Sequence, residues 1–339
     1  MNNRFLWIDW IKIIAIFCVI SIHLSAPTSR LLLTFTVQVF FIVSGFLFKP
    51  ESFVVSIKKS WWNLAVPTIL IVLATHAINY TWDFINGQNI TELPPPHLKG
   101  LVLSLLGFHS YNGIGALGGM WFVYSLFLCR LLLSGICQIR KPFPLLLIIN
   151  LLFLFVCHQL QSFYSNNWEY PNAIADTLMG FPLYSIGYLL SAYKKQIYIT
   201  PLSHSVLLAI PSVILVFLCW KFNGLVLLYN CRYGNSILLC ILGGLAGTVL
   251  LYSIARVLEK LKFNKNLVSV LGGGTIIILG FHSFLIQAAN HFLLRFPIPY
   301  LKFGIALLIL LAFIPINYFV KKYIPIMWGK YRVGFSTGS

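Results

Sequence analysis

The chain has 339 residues, 59% of them hydrophobic and only 9% charged, with a formal net charge of +17. A soluble globule of this length needs far more charge to cover its surface, so the composition describes a chain embedded in a lipid bilayer. The positive balance does not point to nucleic acid, because the basic residues sit in short connectors between apolar runs, where they act as topology signals.

Apolar stretches of spanning length fall at about 5–25, 31–48, 61–80, 119–137, 143–160, 174–192, 202–220, 236–257, 267–292 and 300–320. The fold class read from them is an all-α polytopic integral membrane protein with about ten transmembrane helices. One set of connectors holds Arg4; Lys49, Lys58 and Lys59; Arg140 and Lys141; Lys194 and Lys195; Arg256, Lys260, Lys262 and Lys265; and Lys321, Lys322, Lys330 and Arg332. This set is cytoplasmic by the positive-inside rule, so both termini face the cytoplasm, which agrees with an even number of spans. The expected organisation is one transmembrane domain over 1–325 and a short cytoplasmic tail over 326–339.

The first stretch ends in Leu24-Ser25-Ala26, but Leu24 is large and Pro27 follows, which argues against signal-peptide cleavage. The longest outer connector, about 81–118, holds an apolar run from Leu101 to Phe108 that is too short to span and reads as re-entrant or interfacial. It suits a lid, an acceptor platform or a plain tether equally. Gly243 and Gly247 form a GxxxG and read as helix packing. Gly272-Gly273-Gly274 is no phosphate loop, because no GK[ST] follows. The seven cysteines show no CxxC and no ligand spacing, so they read as small hydrophobic residues and no metal is implied.

The first span carries the strongest signal. Asp9 stands three residues before Lys12, and Lys12 eleven before His23. Eleven steps of 100° return to nearly the same helix face, and Asp9 stays within about 40° of His23. Lys12 and His23 are then about 16 Å apart along the axis, roughly half the hydrocarbon thickness. Ionisable groups at such depth are costly and mark a functional pathway by default. His282 of the ninth span shares the outer half of the membrane with His23, whereas Lys12, Lys58, Lys59 and Arg130 belong to the inner half. Structural readings stand beside these. A lone intramembrane histidine often bonds helix to helix, as expected for His76 and His158. Asp9 also neutralises Lys12 at i,i+3, Lys58 and Lys59 double as topology charges, and Arg130 can snorkel inward.

These residues resemble the membrane acyltransferase-3 family, which includes O-acetyltransferases of surface polysaccharides. The family's first helix carries Asp, a basic residue three on, then ten residues and His. Asp9, Lys12 and His23 match that frame, with Lys12 replacing the usual Arg. Val39 to Leu47 is close to the family's apolar run ending in Ser-Gly-Phe-Leu, here Ser44-Gly45-Phe46-Leu47. Lys58-Lys59 and Pro67 follow where the family has a basic cluster and Pro, without its arginines. Trp121-Phe122-Val123 resembles its Trp-Phe-Leu stretch, and Ile186-Gly187-Tyr188-Leu189-Leu190 its Leu-Gly-Tyr-Leu-Leu. Thr275 to His282 has the family's spacing from a hydroxyl residue to a histidine, with Leu279 for the usual Tyr.

The resemblance covers roughly residues 5–320 and implies an acyl-CoA donor, usually acetyl-CoA, and transfer to a carbohydrate hydroxyl at the outer face. On this reading the protein is a multi-pass O-acyltransferase of a bacterial inner membrane, and its acceptor is a glycan such as O-antigen or exopolysaccharide, free or lipid-linked. His23 is then the catalytic base, with Asp9 and Lys12 orienting the donor or stabilising charge. Lys58 and Lys59 meet the donor phosphates, and Ser44, Trp121 and His282 line the pocket. The rival is a transporter or flippase of glycans or lipid-linked sugars, since intramembrane Asp, Lys and His also suit a proton-coupled pathway. A glycan polymerase is less favoured, because the longest outer connector carries Lys99 and no Arg.

Overall fold

In the computed structural model the described residues are 5–85, 96–107, 110–111, 114–115, 118–163, 172–295 and 298–329. In hydrocarbon every backbone N–H and C=O must be satisfied within the chain, so the apolar runs form helices. The helices in order are α1 (Leu6–His23), α2 (Ser29–Leu33), α3 (Thr36–Phe46), α4 (Phe53–Ser60), α5 (Val66–Ile85), α6 (Pro96–Leu105), α7 (Trp121–Ile136) and α8 (Pro142–Phe163). There follow α9 (Asn172–Leu190), α10 (Lys194–Ile199), α11 (Leu202–Leu207), α12 (Ala209–Asn223), α13 (Ile237–Lys260), α14 (Lys265–Gly273), α15 (Thr275–Arg295) and α16 (Leu301–Tyr323). A π-helical turn, Trp61–Ala65, joins α4 to α5. The only sheet among the described residues is two antiparallel pairs, β1 (Ser110–Tyr111) with β2 (Ile114–Gly115) and β3 (Val226–Leu227) with β4 (Arg232–Tyr233).

Among the described residues, eight helical stretches are long and apolar enough to cross a bilayer. The protein is therefore an all-α polytopic membrane protein. Two of the ten expected spans differ from a plain long helix. α7 has 16 residues, short for a span. The expected continuous span over 267–292 is broken instead: α14 and α15 meet at Gly274 with a bend of 75°. Gly274 donates to Val270 O (3.0 Å) and Leu271 O (3.2 Å), which closes α14. Asn317 of α16 fills the space that a Cβ on Gly274 would take, so the break needs a glycine there.

α3 is the hub. It packs on α9, α13 and α1, and glycines on its neighbours let their backbones come close. A Cβ on Gly45 of α3 would fall on the Tyr184 carbonyl of α9, and one on Gly187 of α9 on the Ile42 carbonyl of α3. The GxxxG of α13 serves the same end: Gly243 and Gly247 lie against Thr34 and Phe35. Peripheral α8 turns Ile148 (61% exposed), Leu151 (58%) and Phe155 (60%) outward, a surface that only lipid covers well.

α6 is packed rather than loose: Ser104 is buried and its hydroxyl lies 3.0 Å from His76 Nε2 of α5. The rest of that connector lies partly outside the described residues. Beyond α16, Trp328 is buried and Gly329 sits against Asn63, so the chain folds back onto the bundle as far as it is described. Residues 330–339 of the expected tail lie outside the described residues.

Candidate active site

Two cavities lie end to end along α1. The inner one, about 420 Å³, is lined by Lys12, Lys49, Lys59 and Arg130, with Glu51 as the one acid among the described residues on its wall. Ser44, Tyr184 and Thr275 complete its polar side. The outer one, about 210 Å³, holds His23, His282, Trp121 and Tyr229 among apolar side chains. Phe40, Phe122 and Leu279 line both cavities and form the boundary between them.

α1 sets the depth of its two groups. Lys12 and His23 lie three turns apart on one face, as the helix period requires. The helix stops at His23 for a local reason. Ala26 N–H donates to Ser21 O (3.0 Å) and Ser25 N–H to Ile22 O (2.9 Å), while Ser25 takes a left-handed φ of 53°. This is a Schellman closure, and Pro27 follows where the helix cannot continue. The Leu24-Ser25-Ala26 segment is thus a helix cap. Lys302 Nζ of α16 donates to Ser25 O (3.0 Å) and ties the cap to its neighbour. His23 is exposed at this end, open to an approaching molecule.

α15 brings His282 to meet it. The two imidazole rings have centroids 5.1 Å apart and planes tilted by 54°. His282 is 3% exposed, and its Nδ1 lies 2.9 Å from Ile278 O and 3.0 Å from Leu279 O. Carbonyls only accept, so Nδ1 carries the proton and Nε2 keeps its lone pair. The outer cavity thus contains two imidazoles, one of them pinned in a single tautomer.

The break at Gly274 also shapes the inner cavity. It starts α15 at Thr275, so Thr275 and Ile276, whose backbone N–H groups open the helix, lie on the cavity wall. Arg130 of α7 reaches the same space, and its Nε is buried with no hydrogen-bond partner. Lys59 is held by Glu51 (2.6 Å). Four cations against one carboxylate, one of them with an orphaned donor, form a site for a polyanion.

Of the residues singled out in the sequence, Lys12, Lys59 and Ser44 meet in the inner cavity, and His23, Trp121 and His282 in the outer one. Asp9 and Lys58 line neither. Asp9 is 3% exposed and packs against Gly272 of α14, where a Cβ would stand 2.6 Å from its own. Lys58 is exposed on α4 while its neighbour Lys59 turns inward.

Residues 5–319 match the sequence model of the acyltransferase-3 family, described as an acyltransferase domain. The chain belongs to this family. No curated protein and no solved structure matches it. The protein is therefore a membrane acyltransferase.

The sequence reading did not assign Lys49, Arg130, Tyr184 or Thr275 to the site of this acyltransferase. Arg130 gave a signal, a charge inside an apolar span, while Lys49 looked like any topology charge at a span end. Gly119 is a further contributor. A Cβ there would stand 2.8 Å from Leu279 O and 3.5 Å from His282 Cε1. Gly119→Ala is expected to displace the carbonyl that holds His282 Nδ1. Turnover should fall while the protein's affinity for acetyl-CoA, measured by calorimetry, stays the same. A fall in donor affinity of the same size would count against this local account.

Proposed function

We propose that the protein transfers an acetyl group from acetyl-CoA, bound from the cytoplasmic side, to a hydroxyl of a cell-envelope carbohydrate at the outer side of a bacterial inner membrane. The observation that carries this reading is the end-to-end pair of cavities, one cationic and one with two imidazoles, on a helix whose Lys12 and His23 lie about 16 Å apart. CoA is a polyanion on a long, thin arm, so its phosphates suit the inner cavity and its thioester the outer one. By the positive-inside rule the connector that carries Lys49, Lys58 and Lys59 is cytoplasmic, so the basic mouth faces that side.

His23 takes the proton of the acceptor hydroxyl as the oxygen attacks the thioester carbonyl, forming the C–O bond. His282, with its free lone pair at Nε2, accepts a hydrogen bond from the acceptor and fixes its approach. The C–S bond then breaks, and His23 returns the proton to the leaving thiolate. Ester and free CoA result. Lys12 and Arg130 hold donor phosphate charge, and the Glu51–Lys59 pair sets the rim of the mouth.

The test is O-acyl content of the host's surface glycan by NMR. A deletion strain is compared with strains restored by wild type or by His23→Ala. Restoration by wild type alone supports the reading. Equal acylation in all three, with undelivered glycan inside the deletion strain, replaces it with transport. Arg130→Ala and Lys12→Ala are each expected to weaken acetyl-CoA binding about tenfold or more, since a charged hydrogen bond is worth about 1.5–3 kcal/mol. Calorimetry on the detergent-purified variants reads this directly, and unchanged affinity in both would remove the inner cavity as the donor site.

A further inference from the structure

The boundary between the cavities has a consequence for which acyl groups can react. The thioester must reach the imidazoles, so the acyl group leads the CoA arm past Phe40, Phe122 and Leu279, which line both cavities. Two of these walls are fixed. The Phe122 ring lies 5.5 Å from that of Phe40 and 4.8 Å from that of Phe41. Phe41 is fully buried, with Gly180 of α9 pressed against its ring. Leu279 is the third wall and the one aliphatic side chain of the three. Its carbonyl holds His282 Nδ1 at 3.0 Å, so the same turn of α15 sets both the throat and the tautomer of the imidazole beyond it.

We infer that Phe40, Phe122 and Leu279 form a selectivity throat that admits small, unbranched, uncharged acyl groups and excludes branched and anionic ones. This rests on the acyl-CoA reading above and adds the substrate class to it. Width excludes a branched chain, because closely packed side chains leave no room for an extra methyl without strain. Polarity excludes a carboxylate: all three walls are hydrocarbon, and a charge crossing them finds no partner.

Everted membrane vesicles from the deletion strain, carrying each variant, would be given acetyl-, isobutyryl- or succinyl-CoA from outside. The ester formed on the enclosed glycan is read by mass spectrometry. Wild type is expected to use acetyl-CoA and discriminate against the other two. Leu279→Ala removes the aliphatic wall, so the ratio of isobutyryl to acetyl transfer should rise about tenfold or more, the usual worth of a methylene or more in an apolar pocket. Succinyl transfer should remain absent. Phe40→Leu is a second variant that widens the throat from α3, in case Leu279→Ala does not accumulate. If acetyl transfer persists in the variants and the ratio does not move, or if wild type already accepts isobutyryl or succinyl as readily as acetyl, the throat is not selective. If wild type transfers no acyl group from any donor, the acyl-CoA reading itself fails and the throat goes with it.

Discussion

His23→Ala is expected to lower O-acyl transfer by about 10²–10⁴-fold, the usual contribution of a positioned general base. Acetyl-CoA affinity should not change. The argument is geometric. His23 is the exposed member of the imidazole pair, at the end of α1 and on the cavity wall. His282 is 3% exposed and spends its Nδ1 proton on two backbone carbonyls. The lone pair left at Nε2 can receive a hydrogen bond, but His23 is better exposed to carry a proton from hydroxyl to thiolate. His282→Ala should therefore cost less than His23→Ala and appear partly as a loss of acceptor affinity. His282→Gln, which keeps an acceptor atom, should recover part of that loss. The comparison needs turnover with the host glycan and calorimetry with acetyl-CoA on the same preparations. A His23→Ala protein with near-normal turnover would move the base to His282, and weakened acetyl-CoA binding would mean that His23 holds the donor.

The separation of roles along α1 was legible because a helix repeats with a fixed period. Asp9, Lys12 and His23 share a face by arithmetic alone. What the face meets was not legible. Asp9 lands against Gly272, a contact that depends on where α14 ends. Lys58 and Lys59 are adjacent, and only the rotation of α4 decides that Lys59 faces the cavity and Lys58 does not. Hydropathy could not reveal the bend at Gly274, because averaging over a window erases a one-residue break. Gly272, Gly273 and Gly274 lack the GK[ST] that completes a phosphate loop. Their part in the site is to begin a new helix at Thr275, on the inner cavity wall. Lys49 and Arg130 belong to the site through tertiary packing, which no local pattern encodes.

The second large effect concerns stability. Gly45→Ala and Gly187→Ala are each expected to destabilise the protein by more than the roughly 1–3 kcal/mol typical of overpacking. The usual relief from overpacking is a rotated side chain. Here the obstacles are the carbonyls of Tyr184 and Ile42, which are fixed in the ladders of α9 and α3. The helices themselves must separate. The glycines that resembled a family motif in Ser44-Gly45-Phe46 and Ile186-Gly187-Tyr188 are thus read as a reciprocal backbone contact. Ser44 and Tyr184 line the inner cavity beside it, so separation also widens the donor site. Gly304 of α16 is the control, because a Cβ there meets nothing within 4 Å. Gly304→Ala should match wild type or exceed it slightly, since alanine favours a helix by about 1 kcal/mol over glycine. Thermal unfolding of detergent-solubilised protein, followed by size exclusion, compares the three. Gly45→Ala and Gly187→Ala proteins that melt with Gly304→Ala would show that α3 and α9 do not depend on this contact, and the motif would then need a chemical explanation in place of a packing one.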